Sequence, residues 1–260
     1  MGKKMKNAPI YFALAQVRFN PLAALDTYIP PIQESFRKAG YPDFQKIQMA
    51  HLELGAAVPK TAVVTRYLFG NARKTSAFVL DQSWLTFQTT DYDTFAPFRS
   101  ALLSGLQTVH KEAVLSYSER IGIRVLDAVL PRSEESVSKY LQPCVLGLSS
   151  SFPDRQLAHS LSETKTVSGH STLVSRSIVI SQKEGGLAFP EDLQPLQLQL
   201  PERFSHQISG QYAVIDTDSW SEERDDFELN RIEKALDSLH TDIGRSFEQM
   251  VTPYALSVWD

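Results

Sequence analysis

The sequence is poor in cysteine, with one in 260 residues. A single cysteine excludes a disulfide framework within the chain and a cysteine-based zinc site. Cys144 lies among apolar neighbours, next to Pro143 and Val145, and this setting predicts a small buried side chain rather than a nucleophile. Because free thiols persist in reducing compartments, we predict a cytoplasmic protein.

Long apolar runs are also lacking. No run approaches the roughly 18 consecutive apolar residues that a membrane-spanning helix requires. The stretch from Ala8 to Leu14 follows several lysines, but it is too short for a secretory signal and is soon interrupted by Gln16 and Arg18. We therefore expect neither a membrane span nor a signal peptide.

Neither sign of charge dominates, since 26 Lys and Arg stand against 30 Asp and Glu for a net charge of −4. Nucleic-acid-binding proteins usually carry a basic domain or stripe, so this balance disfavours a nucleic-acid partner but leaves room for a local basic patch. Catalytic motifs are missing too: the chain has no G-x-S-x-G, no G-x-x-x-x-G-K-[ST], no G-x-G-x-x-G and no H-x-x-x-H. We predict a protein without catalytic residues or cofactors.

The sequence does contain an internal repeat: a predicted helix from Thr94 to Val114 resembles a second one from Asp226 to Val251. The second copy carries apolar residues at three- and four-residue spacing, the pattern of one buried helix face. A gapless alignment places Leu102, Leu106, Val109, His110 and Ala113 on Ile232, Leu236, Leu239, His240 and Ile243. The echo predicts an α+β protein of two related halves, each an antiparallel sheet with a long helix packed across it.

We place the boundary between the halves at 148/149, where a serine-rich stretch begins. Residues 1–148 read β-α-β-β-β-α-β-α, with strands at 10–19 and 117–129, a meander from 63 to 90 and a short helix at 133–141. Residues 149–260 read β-β-β-α, a partial repeat of the first half. Within them, the proline- and glutamine-rich segment 190–201 is either an edge strand at 196–200, a partner-binding arm or a crossing loop.

Two pairs of aspartates follow apolar runs, Asp91 with Asp93 and Asp216 with Asp218. Carboxylates at strand ends are typical ligands of divalent metals, so these four residues are candidate metal ligands for a hydrolase or nuclease. Acidic residues between a strand and a helix also act as helix N-caps. The sequence favours this structural role, because no lysine follows two residues after an aspartate as in many nucleases.

Two further pairs are candidate binding residues. Arg120 and Arg124 lie on one face of the predicted strand 117–129, where they can bind an acidic partner or form ion pairs on a solvated sheet. His110 and His240 occupy equivalent positions in the repeated helices, as expected for a metal or acid–base pair or for half-buried structural histidines.

Three segments, taken in order, resemble a sporadically distributed bacterial family of proteins of about this length that has no assigned activity. The residues that carry the resemblance are Pro9, Gln16, Arg18 and Phe19 in the first strand, Arg120, Ile121 and Gly122 mid-chain, and Leu239, His240, Phe247 and Glu248 in the last helix. The resemblance spans the whole chain and implies no site residue. A patchy distribution implies an accessory system such as phage defence or toxin–antitoxin.

Together these observations predict a non-catalytic protein-interaction component, an adaptor, inhibitor or sensor, that binds a protein partner and forms homo-oligomers. The alternatives are a metal-dependent hydrolase or nuclease that uses the aspartates, and a nucleic-acid or small-ligand binder that uses the arginines.

Overall fold

The structure, a computed structural model, describes residues 5–53, 60–149, 151, 154–193 and 195–260, with the backbone alone described for 49–53 and 60–62. These residues form ten strands and five α-helices, which confirms the mixed α and β composition. The strands are β1 (Ile10–Phe19), β2 (Asp43–Glu53), β3 (Lys60–Gly70), β4 (Ser76–Leu80), β5 (Trp84–Thr89), β6 (Tyr117–Val129), β7 (His159–Val167), β8 (Thr172–Gly185), β9 (Ile208–Ser221) and β10 (Asp225–Asp226). The helices are α1 (Leu25–Lys38), α2 (Phe95–Ala113), α3 (Glu202–Ser205), α4 (Leu229–Met250) and α5 (Pro253–Trp259).

All ten strands belong to one sheet with the order β2-β3-β4-β5-β1-β6-β9-β8-β7, and β10 pairs with the beginning of β6. Every pairing between the described strands is antiparallel. The strands predicted at 10–19 and 117–129 are therefore confirmed as β1 and β6, and they are neighbours at the middle of the sheet. None of the described helices is both long and apolar enough to cross a membrane.

One face of the sheet carries the largest apolar core. Side chains alternate between the two faces of a strand, so Ala13, Ala15 and Val17 of β1 point to one side and the residues between them to the other. The core joins these residues to the apolar stripes of three helices, represented by Ile32 in α1, Leu102 in α2 and Leu236 in α4. Residues from before and after position 148 thus share one core.

The opposite face is partly covered by residues 187–193 and 195–200, which run across it without regular structure. Their Leu187 and Leu198 pack with sheet residues of two smaller apolar clusters. The edge strand considered at 196–200 does not form, because Gln197 adopts a left-handed backbone with φ of 58° and Pro195 and Pro201 flank it.

Other expectations differ from the structure. Four strands, not three, lie between α1 and α2. Two 3-10 turns, Val137–Lys139 and Pro143–Val145, replace the helix expected at 133–141, because Glu134 has a φ of 66° that interrupts a first helical turn. The expectation that Cys144 is buried is wrong, since its side chain is exposed at the second of these turns.

Candidate functional site

The part of the sheet that residues 187–193 and 195–200 leave open carries a cluster of polar and aromatic side chains. From Ala13 to Phe19 in β1 and from Ile121 to Val125 in β6 the odd-numbered residues enter the helix-side core, so the even-numbered neighbours face this opening. The register places Arg18 directly opposite Arg120 on one side and Trp84 on the other. In the next row Gln16 lies opposite Gly122, which in turn lies opposite Trp220. We call the surface formed by Gln16, Arg18, Trp84, Arg120, Gly122 and Trp220 the Arg–Trp face.

The tryptophans of this face are held by cations. The Arg120 guanidinium lies 5.3 Å from the centre of the Trp220 ring, and the Lys165 ammonium lies 5.7 Å from the same ring. On the other side, the Arg66 guanidinium lies 5.1 Å from the Trp84 ring. Cation–π contacts at these distances stabilise ring orientation, so both indoles are preorganised while still partly exposed.

Gly122 makes room in the middle of the Arg–Trp face. A Cβ atom at this position would lie 3.3 Å from the Trp220 Cβ, a tight contact, and 3.5 Å from the Arg120 Nη1, so a side chain here would crowd Trp220. Gln16, which lies opposite Gly122, and Arg120 line a shallow depression of about 350 Å³. Its lining residues are Gln16, Arg18, Ser83, Trp84, Arg120 and Glu222.

The arginines of the face have carboxylate neighbours at its rim. Arg18 lies 3.4 Å from Glu119, and Arg120 lies 3.8 Å from Glu222, whose side chain is 69% exposed. Arg120 also donates to the Gln16 side-chain carbonyl at 3.2 Å. Such solvent-exposed ion pairs contribute little to stability, so an incoming carboxylate can replace the rim carboxylates at small cost.

Next to this face lies a buried network around Arg124. Its guanidinium donates two hydrogen bonds to Asp216, both 2.8 Å, and two to Asp192, 2.7 and 3.0 Å long. Asp216 is fully buried and also accepts from Arg176 at 3.1 Å. Burial opposes the charge of Arg124, but its hydrogen bonds to Asp216 and Asp192 prevail and raise its pKa above the ordinary value. Since Asp192 belongs to the covering segment, Arg124 ties that segment to the sheet.

The four candidate metal ligands do not come together. Asp216 and Asp218 lie within β9, whereas Asp91 and Asp93 follow β5, and β1 and β6 intervene. Three strand spacings separate the pairs by about 14 Å. The described residues contain no group of three or more His, Cys, Asp or Glu side chains that could hold a metal ion.

Each aspartate has its own surroundings. Asp91 accepts from Arg73 at 3.1 Å at the surface, and it borders a depression of about 240 Å³ together with Asp93. The N-cap of α2 is Thr94, so neither aspartate has the predicted capping role. Burial raises the pKa of Asp218, which lies opposite Arg124 in the register.

The two histidines form reciprocal ring stacks between the repeated helices. His110 of α2 stacks on Phe227, which precedes α4, with ring centres 4.7 Å apart, and its Nδ1 accepts from the Leu115 N–H at 3.0 Å. His240 of α4 stacks on Phe95, the first residue of α2, at 3.8 Å. Burial lowers the pKa of His240. Both rings are thus occupied in joining α2 to α4.

Of the residues on the Arg–Trp face, the sequence predicts only Arg120 as a binding residue. Gln16 and Arg18 are not among the predicted site residues, and neither are Trp84 and Trp220. The alternation of side chains along a strand could have indicated this face, because polar residues two positions apart in an otherwise apolar strand lie on a face that the core does not cover. Only the strand order of the folded sheet shows that the strands β5, β1, β6 and β9, which carry these residues, are neighbours.

No protein-family model matches this chain, and no curated protein or solved structure matches it either. The resemblance to a bacterial family therefore stays a prediction, and the geometry of the Arg–Trp face carries the functional argument.

Proposed function

We propose that the protein is a non-catalytic interaction module that binds an acidic segment of a protein partner on the Arg–Trp face. The observation that carries the proposal is the side-by-side placement of Arg18 and Arg120 between two cation-held tryptophans. Tryptophan and arginine are the residues most enriched in binding hot spots. Guanidinium groups also bind carboxylates through paired hydrogen bonds, which favours an Asp- or Glu-bearing segment.

Shape and charge favour a protein over the other two partner classes. The depression is open and shallow, unlike the enclosed pockets that bury most of a small ligand. Arg18 and Arg120 are balanced by Glu119 and Glu222, and the whole chain carries a net charge of −4. Binding to nucleic acid depends on neutralising many phosphates with unpaired cations, which this balance does not provide.

The proposal extends to the origin of the fold and to the cellular role of the protein. We infer that the chain consists of two related halves, 1–148 and 149–260, in which α2 corresponds to α4. The matching helix stripes and the reciprocal histidine stacks support this inference. We also propose that the protein works in the bacterial cytoplasm as an adaptor, inhibitor or sensor of an accessory system, as its family resemblance implies.

The test is a quantitative pull-down from an extract of the native host with the purified full-length protein as bait. Arg18→Glu and Arg120→Glu reverse the charges on the Arg–Trp face, and Arg245→Glu makes the same change at an exposed position of α4. We expect one protein to be retained by the unaltered bait and by Arg245→Glu. Its retention by the two face variants falls about tenfold or more.

Nuclease treatment and the absorbance ratio at 260 and 280 nm separate the alternatives. A partner that survives nuclease, contains an acidic segment and is lost from both face variants supports the proposal. Nucleic acid eluting with the bait, with retention falling steeply as salt rises, would replace it with the nucleic-acid alternative. Equal retention of the same proteins by all four baits would refute it.

A further inference from the structure

The strand β7 ends the sheet on one side and presents an outer edge that no described strand pairs with. Its sequence is His-Ser-Leu-Ser-Glu-Thr-Lys-Thr-Val, without the proline that often protects such an edge. Two of its apolar side chains are unusually exposed, Leu161 at 56% and Val167 at 73%. An exposed edge with apolar residues is a template for pairing with another strand.

The hydrogen bonds of β7 show which of its residues direct their backbone outward. The Ser181 N–H donates to the Ala158 carbonyl at 3.0 Å, and the Ser168 N–H donates to the Ser171 carbonyl at 2.8 Å. Residues of an antiparallel pair alternate between bonding and not bonding to the same neighbour. Even-numbered residues of β7 thus bond to β8, and the N–H and C=O groups of the odd-numbered residues point to the free edge.

We propose that β7 pairs antiparallel with β7 of a second copy of this chain, about a two-fold axis at Thr164. In this register Glu163 lies opposite Lys165 of the second copy, and Leu161 lies opposite Val167. By symmetry each of these pairs occurs twice. The two exposed apolar residues then cover each other, and opposite charges meet between them.

Backbone geometry and charge select this register over its neighbours. Only the odd-numbered residues have outward backbone groups, so allowed shifts move the strands by two residues. A shift by two residues in one direction places Glu163 opposite Glu163 of the second copy. A shift by two residues in the other direction places Lys165 opposite Lys165 of the second copy. Like charges directly opposite are destabilising, whereas the register centred on Thr164 has none among the paired residues. An isologous two-fold contact also closes, which gives a dimer rather than a fibre.

A site-specific disulfide tests both the partner and the register. At the two-fold axis the two Thr164 residues form a non-hydrogen-bonded pair with Cα atoms about 4.5 Å apart, within disulfide range. In a Cys144→Ser background we expect Thr164→Cys to form a disulfide-linked dimer on mild oxidation. Thr166→Cys, also at an exposed position of the same strand, is the matched control, because its two copies would lie about 14 Å apart.

Charge variants give an independent measurement by light scattering. Lys165→Glu and Glu163→Lys each place like charges opposite one another, and we expect each to raise the dimer dissociation constant about tenfold. An equimolar mixture of the two variants restores dimers, because every facing pair again joins opposite charges. Thermal unfolding of each variant checks that the fold is intact.

The named outcomes decide the proposal. Cross-linking of Thr164→Cys without that of Thr166→Cys, together with recovery in the mixture, supports it. A monomer at all accessible concentrations, equal cross-linking of both cysteine variants, or a dimer that Thr164→Cys fails to cross-link would overturn it. The result is independent of the pull-down, since the partner of the Arg–Trp face is not needed.

Discussion

At the residue scale, Asp127 stands out because it is a carboxyl in the middle strand β6 with only 4% of its surface exposed. Burial raises the pKa of Asp127 from 3.8 to about 8. The folded protein therefore holds a proton on this group between about pH 4 and pH 8, where the unfolded chain has lost it. Stability falls as pH rises through this window, by up to about 1.4 kcal/mol per pH unit.

We predict that Asp127→Asn removes this pH dependence. The amide keeps the shape of the protonated carboxyl but does not ionise. As pH rises from 5 to 7, the free energy of unfolding of the variant therefore increases by about 2–3 kcal/mol relative to that of the unaltered protein. Urea unfolding at both pH values measures the free energies. A difference between the two proteins that stays constant with pH would show that Asp127 ionises normally in the fold.

Asp216 and its neighbour Asp218 offer a second comparison at this scale. Asp216→Ala leaves the guanidinium of Arg124, itself 8% exposed, without its buried partner, and we predict a loss of about 3–5 kcal/mol. Asp218→Ala removes a carboxylate that burial already disfavours, and we expect a loss below about 1 kcal/mol. Urea unfolding at pH 7 distinguishes them. Equal losses that appear only with added magnesium or manganese would favour the metal-site alternative instead.

Arg120, Arg124 and Asp216 show how much of a site the sequence alone predicts. Arg120 and Arg124 were correctly placed on one face of a strand, because alternation follows from strand geometry. Their different surroundings were not predictable. Asp216 lies on a strand about 90 residues later, and only the pairing of β6 with β9 brings it to Arg124.

At the element scale, Gly105 explains how α2 approaches the sheet. A Cβ atom added there would lie 2.4 Å from the Cε1 of Phe78 in β4, so the helix and the ring need the missing side chain. We predict that Gly105→Ala destabilises the protein by about 1–3 kcal/mol despite the better helix propensity of alanine.

Gly244 in α4 is the matched control, because nothing lies within 4 Å of a Cβ added there. Gly244→Ala is expected to stabilise the protein by up to about 1 kcal/mol through helix propensity alone. Thermal and urea unfolding of both variants measure the contrast. Stabilisation by both substitutions would mean that Phe78 moves aside without cost.

Elements with strong periodicity were predictable, and irregular ones were not. The apolar residues of β1 and β6 and of α2 and α4 recur with the spacing of a strand or of a helix face, so the sequence predicts these elements. Residues 196–200 alternate as a strand should, yet they stay irregular. Their backbone bonds go to scattered partners instead: the Gln199 N–H donates to the Lys74 carbonyl, and the Gln88 side chain donates to the Leu196 carbonyl.

At the scale of the whole molecule, one sheet and one core span the proposed boundary at 148/149. We therefore predict a single cooperative unfolding transition. Far-ultraviolet circular dichroism and tryptophan fluorescence should coincide in urea, since Trp84 reports on the first half and Trp220 and Trp259 on the second. Two separated transitions would show that the halves unfold as independent domains.

The position of β1 at the centre of this sheet also has a kinetic consequence. Ile10 pairs with Asp127, so β1 is synthesised about 100 residues before its neighbour β6. At about 5–20 residues per second, translation leaves β1 without β6 for about 5–20 seconds. Pairings between distant segments also form slowly. We therefore expect the sheet to be complete only after translation has passed β9, and we expect the apolar strand β1 to bind ribosome-associated chaperones during this interval.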